Sequence, residues 1–147
     1  MTAPFPHRYV VTLTGSGGSS GTLTAGPRPA LAGGVPPEFG GGDQEWSPEH
    51  LLLASTNLCL MTTFAAIAAK SKLEYSGYES RAEGTLDKTP EGLRFTRIAL
   101  KVVIRCADAD KASRLLDMAK KHCIVSNSLR QPIELEGSVV AVFADSI

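Results

Sequence analysis

The chain of 147 residues has no excess charge of either sign, 15 Lys and Arg against 15 Asp and Glu. Nucleic acid and anionic membranes are held by bulk positive charge, so this balance argues against both and in favour of a small or neutral partner. Met1 to Thr14 contains no basic segment followed by an apolar run, so a cytoplasmic protein is the expectation. Cysteine is scarce: Cys59, Cys106 and Cys123 are the full complement. In a reducing compartment these are not a structural disulfide framework, and a pair that formed would be transient and catalytic. CxxC and HxxxH spacings are lacking, which argues against a zinc centre built from the cysteines and a histidine, so no metal is expected. The Gly-rich stretch GGGDQEWS has no GxGxxG spacing and no Walker lysine. Asp43, Glu45 and Glu49 surround the helix that follows it, so a phosphate site is not expected there either.

What the sequence does hold is one dominant apolar segment, Ser47 to Lys72, SPEHLLLASTNLCLMTTFAAIAAKSK. From Leu51 to Ala69 it carries no charge, and it opens with Ser47 as a cap, Pro48 for the first helical position and Glu49 at the positive end of the helix dipole. The segment therefore reads as a helix. Apolar residues cover most of its circumference, which predicts burial on several sides. Its length also meets the threshold for a membrane span. Against that reading stand its Asn, Ser and Thr residues and the lack of an aromatic belt, which favour the core helix of a soluble domain. Ser55, Thr56, Cys59, Thr62 and Thr63 follow helical spacing, so Cys59 sits mid-helix among small hydroxyls. It reads either as a small core residue or as a reactive thiol on rigid structure.

Around this helix the chain reads as one domain, residues 1–147. Arg8 to Thr14 and Thr22 to Ala25 form a hairpin with the soft tip GSGGSSG, followed by an irregular Pro- and Gly-rich connection with a short strand near Ala30 to Ala32. After the helix, Leu73 to Asp87 and Leu93 to Cys106 are strands joined by the turn KTPEG, with Ile98, Leu100, Val102 and Ile104 facing the core. A second helix runs from Asp108 or Asp110 to about His122, burying Ala112, Leu115, Leu116 and Ala119. Cys123 extends that stripe at or just past the helix end, where a change of direction would open it to a cleft. His122 beside it reads as exposed, and Cys106 as a spectator at a strand end. A last strand, Ile133 to Ala144, completes an α+β fold with a mostly antiparallel sheet around the long central helix.

The stretch SPEHLLLASTNLC, with Glu49 ten residues before Cys59, together with HCIVSNSL around Cys123, resembles the OsmC/Ohr family of osmotically inducible and organic hydroperoxide resistance proteins. The resemblance implies an α+β fold built as an intertwined homodimer with buried central helices. It also implies a thiol-dependent peroxidase acting on organic hydroperoxides, recycled by a dithiol or a lipoylated protein, without metal, haem or other cofactor. On this resemblance Cys59 corresponds to the peroxidatic cysteine, Cys123 to the resolving cysteine and Glu49 to the carboxylate that organises the site. Ten helical residues rise about 15 Å, so a catalytic Glu49 would have to reach Cys59 from the other subunit. The bland role of Glu49 is to complement the dipole.

One departure bears on the activity. Peroxidase members carry an arginine on the N-terminal hairpin, and GSGGSSG has none. Arg28, in GPRPA, is the candidate replacement for stabilising the thiolate, ahead of Arg8. Trp46 reads as a staple at the helix start or as an apolar lid over a lipid-like substrate. The alternatives to a peroxidase are a redox-sensing or small-molecule-binding member of the same fold, and a dimeric scaffold with inert thiols.

Overall fold

The computed structural model describes residues 3–142, which fall into two compact units, Met1–Leu51 and Leu52–Ile147. The first unit is a three-stranded antiparallel sheet in the order β1-β2-β3: β1 (Thr12–Gly15), β2 (Ser20–Thr24) and β3 (Leu31–Gly34). The strand expected over Arg8 to Thr14 is shorter and later than the sequence predicts. Thr12 pairs with Thr24, after which the partner strand ends, so Arg8 to Val11 have no ladder to join. Tyr9 and Val10 are consequently exposed.

Helix α1 (Pro48–Lys70) begins in the first unit and continues through the second. Ser47 caps it as expected: its hydroxyl accepts from the His50 backbone N–H at 3.1 Å, an interaction worth about 1 kcal/mol. Its far end is a Schellman turn, with Lys72 at φ 56° and Leu73 N–H donating to the Ala68 carbonyl. The Lys111 ammonium donates to the carbonyl of Ser71 at 2.7 Å, a cation where the helix dipole favours one. Because the backbone N–H of Leu73 is engaged in this helix ending, the next strand starts later than the sequence predicts.

That strand, β4 (Gly77–Thr89), pairs antiparallel with β5 (Gly92–Cys106) through a tight turn at Pro90 and Glu91, with Gly92 at φ 110°. Gly84 is required by packing, since a Cβ there would lie 2.8 Å from the Phe95 ring. Helix α2 (Ala109–His122) is capped by Asp108, which accepts from the Lys111 N–H, and buries Ala112, Leu115, Leu116 and Ala119 as its periodicity demands. A single turn, α3 (Ile124–Asn127), then leads to β6 (Ile133–Ala141), which runs parallel to β5. The crossover through α2 makes that pairing possible. Ala144, the predicted end of this strand, lies outside the described residues.

The core of the second unit joins Ile98, Leu100, Val102 and Ile104 of β5 to the buried stripe of α2 and to one face of α1. That face is Thr56, Leu60, Phe64 and Ala68. Among the described residues, full burial of α1 is thus confined to one side, in contrast to the several sides its composition predicts, and Leu58 is 58% exposed. Phe64 is the anchor, fully buried and packed edge-on against Tyr75 with ring centroids 5.2 Å apart. Phe64→Ala should therefore cost about 3–5 kcal/mol in a urea unfolding series, whereas Lys121→Ala, exposed in the last turn of α2, should stay within about 0.5 kcal/mol of the parent.

Candidate functional site

Cys59 lies in the fourth turn of α1, partly buried and packed against the core. The neighbouring hydroxyls predicted to surround it are spent on the helix itself. Ser55 and Thr56 donate to the carbonyls of Leu52 and Leu53, and Thr62 and Thr63 both donate to the carbonyl of Cys59. Thr63 Oγ1 also stands 4.0 Å from Cys59 Sγ. Its single proton goes to the carbonyl at 2.7 Å, so its hold on the sulfur is weak. Two residues earlier, Asn57 accepts from Ser80 of β4 at 2.6 Å, which fixes the rotation of α1 against the sheet.

The groups that act on Cys59 come from the turn after α2. Burial by itself pushes the Cys59 thiol up, but hydrogen bonds from the Val125 N–H, the Cys123 thiol, Thr63 and the Ile124 N–H together outweigh it and hold Cys59 below the ordinary thiol range. Cys123 is affected in the opposite sense. Burial raises it, and its role as donor to Cys59 raises it further against the lowering effect of Ser126, whose hydroxyl donates to the Cys123 sulfur at 3.3 Å. Both thiols are free, near enough to act on one another's ionisation, and unequal: Cys59 is made more acidic and Cys123 less so.

This turn is built by a switch of direction. Cys123 ends α2 and simultaneously precedes α3, at φ −70° and ψ 109°, so its sulfur points inward while the first N–H groups of α3 are left without helical partners. Cys123 is fully buried, whereas the sequence predicts a cleft position. The reason is that α3 folds over it before the chain leaves for β6. His122 is exposed as expected, and Cys106 ends β5 buried, donating to the Glu74 carbonyl at 3.2 Å. The donors on Val125 and Ile124 were missed by sequence reasoning, because backbone N–H groups have no side-chain signature. A cysteine followed three residues later by serine, the spacing of a capped turn, was the available signal.

The other predicted site residues belong to the first unit. Trp46 bridges to Gly33 and, with Leu13, Leu23, Phe39 and Glu49, lines an apolar cavity of about 600 Å³. One carboxylate oxygen of Glu49 is buried there without a hydrogen-bond partner. Arg28 lies between β2 and β3, its guanidinium donating to the Ala25 carbonyl of its own turn at 3.3 Å.

Residues 40–137 match the family model described as OsmC-like protein. The chain is 28% identical over 97 residues to peroxiredoxin OsmC of Escherichia coli, covering 65% of this chain and 68% of that protein. Among solved structures, an organic hydroperoxide resistance protein OsmC from Legionella pneumophila is 25% identical with a TM-score of 0.74, over 93% of this chain and all of that one. An OsmC-like protein of unknown function from Vibrio cholerae shares the fold at a TM-score of 0.82 and 17% identity, over 90% of this chain and 99% of the other.

Ile124→Pro tests the role of the turn. Residue 124 is the first position of α3, its side chain is 75% exposed, and the extended backbone of Cys123 before it accommodates a following proline. The substitution deletes one N–H from the Cys59 sulfur. Cys59 should then titrate higher, and its alkylation by iodoacetamide at neutral pH should slow several-fold with little change in melting temperature. In the parent, Cys59 should react before Cys123 at every pH below the titration of either, because only Cys59 is shifted downward.

Proposed function

Because the chain belongs to the OsmC-like protein family, we propose that it is a cysteine-based peroxidase reducing organic hydroperoxides. The observation that carries this reading is the adjacency of Cys59 and Cys123 with opposite thiol character. The Cys59 thiolate attacks the terminal peroxide oxygen. The O–O bond breaks, an alcohol leaves after taking up a proton, and Cys59 becomes a sulfenic acid. Cys123 then displaces hydroxide from that sulfur, which departs as water with the Cys123 proton, and a disulfide remains. A dithiol reductant, such as the lipoyl group of a lipoylated protein, returns the disulfide to two thiols and is itself oxidised. No cofactor takes part.

The working form is an intertwined cytoplasmic homodimer. Two features favour it: α1 leaves Leu58 and Met61 exposed on a helix without charge in its middle, and Tyr9, Val10, Val11 and Leu13 form an exposed apolar run. Exposed apolar surface of this kind marks an interaction site. In that dimer Glu49 serves the Cys59 of the partner subunit, and its unpaired oxygen is the group awaiting a cation or substrate hydroxyl. Trp46 and the apolar cavity favour a hydrophobic hydroperoxide over hydrogen peroxide. Arg28 is the candidate cation, released from its own turn.

The absence of an arginine from the β1–β2 tip favours a second reading, a redox-sensing or small-molecule-binding protein that forms the disulfide without efficient turnover. Cumene hydroperoxide and hydrogen peroxide, each with dihydrolipoamide as reductant, separate the two. A peroxidase should consume cumene hydroperoxide in preference. Cys59→Ser should fall to background, Cys123→Ser should lose one thiol without cycling, and Glu49→Gln should lose about a hundredfold. Loss of two thiols without turnover would favour the sensor, and no thiol loss would remove both readings.

A further inference from the structure

Tyr78 stands on β4 opposite Ile104, against the core that contains Cys123. Its ring packs on Phe64 of α1 with centroids 5.8 Å apart, while Tyr75 holds the same Phe64 ring from another side. The ring packs against the core, yet its hydroxyl oxygen is buried without a hydrogen-bond partner among the described residues. An orphaned buried hydroxyl costs about 1–3 kcal/mol, and phenylalanine would fill the same space without that cost. A buried orphan in a well-packed core calls for a role in another state of the protein. Burial first, and then the charges of Cys123 and Tyr75, push the phenol well above its usual value. Tyr78 thus stays protonated, able to donate a hydrogen bond and unsuited to act as a base.

Cys123 changes its needs during the cycle. While Cys59 is a thiolate, the Cys123 thiol donates to it. Once Cys59 is a sulfenic acid that acceptor is gone, and Cys123 must give up its proton to attack. A buried thiolate is costly unless its donors make up for lost water, and at Cys123 the hydroxyl and backbone N–H of Ser126 do not offset burial. We propose that the Tyr78 hydroxyl is a further donor, directed to the Cys123 sulfur when that sulfur becomes the nucleophile, so that Tyr78 speeds disulfide closure and leaves the oxidation of Cys59 alone. The S–S bond then forms as the S–O bond of the sulfenic acid breaks, and hydroxide leaves with the proton Cys123 released. The tyrosine keeps its own proton throughout. This inference rests on Cys59 and Cys123 pairing as proposed above, and it does not depend on which oxidant starts the reaction.

Tyr78→Phe is the test, with closure of the disulfide started in parallel by cumene hydroperoxide and by the thiol oxidant diamide. The variant should unfold at the parent temperature or slightly above it, since it loses an unsatisfied group. Cys59 should be oxidised at the parental rate, disulfide closure should slow at least tenfold with both oxidants, and more Cys59 sulfenic acid should be captured by dimedone. Parental closure rates with both oxidants would overturn the inference, and so would a slowing matched by a fall in melting temperature, which marks a packing role. If cumene hydroperoxide fails to oxidise the parent while diamide still closes the disulfide and Tyr78→Phe slows it, the peroxidase reading falls and the role of Tyr78 stands. If neither oxidant joins Cys59 to Cys123 in the parent, both fall.

Discussion

A thiolate in the fourth turn of a helix has no help from that helix. The N–H groups around Cys59 are engaged in the helical ladder, the positive end of the dipole lies too far away, and the adjacent hydroxyls bond to backbone carbonyls. Stabilisation must arrive from another segment, and the turn from Cys123 to Asn127 provides it with two backbone N–H groups and a thiol. The surrounding architecture serves this contact. The parallel pairing of β6 with β5 forces a crossover, α2 makes the crossover, and the short turn needed to leave α2 is the one that covers Cys59.

The same burial acts on both sulfurs and is resolved differently at each. At Cys59 the donors prevail over desolvation, and at Cys123 desolvation prevails over Ser126. The outcome is a division of labour between a more acidic and a less acidic thiol. Cys106 shows what burial does without such neighbours: it is as buried as Cys123 but donates to a backbone carbonyl at a strand end and faces no second thiol. The hydrogen bonding that grips each sulfur, more than its depth in the protein, separates a reacting cysteine from a packing one.

Elements whose identity is carried by side-chain pattern were legible in the sequence. The stripe of α2, the alternation of β5 and the Ser-Pro-Glu start of α1 each follow from periodicity or capping, and the structure reproduces them. What escaped is carried by backbone or by pairing partners. The four residues of α3 are too few to show a period, and the donors of Ile124 and Val125 are independent of their side chains. Arg8 to Val11 have strand composition but no neighbour to pair with. The exposed flank of α1 at Leu58 and Met61 reads as core by composition, and its covering is not found among the described residues. For the candidate site, Cys59 and Cys123 were named from their contexts, whereas the reason they differ in acidity was not visible until α3 was in place.

The most direct test of the central contact is peptide mapping under non-reducing conditions after one equivalent of cumene hydroperoxide. A linked pair of peptides carrying Cys59 and Cys123 from the same chain, with Cys106 still alkylatable, is the expected product. A link that includes Cys106, a link between two Cys59 residues, or an oxidised Cys59 beside an unreacted Cys123 would contradict the account.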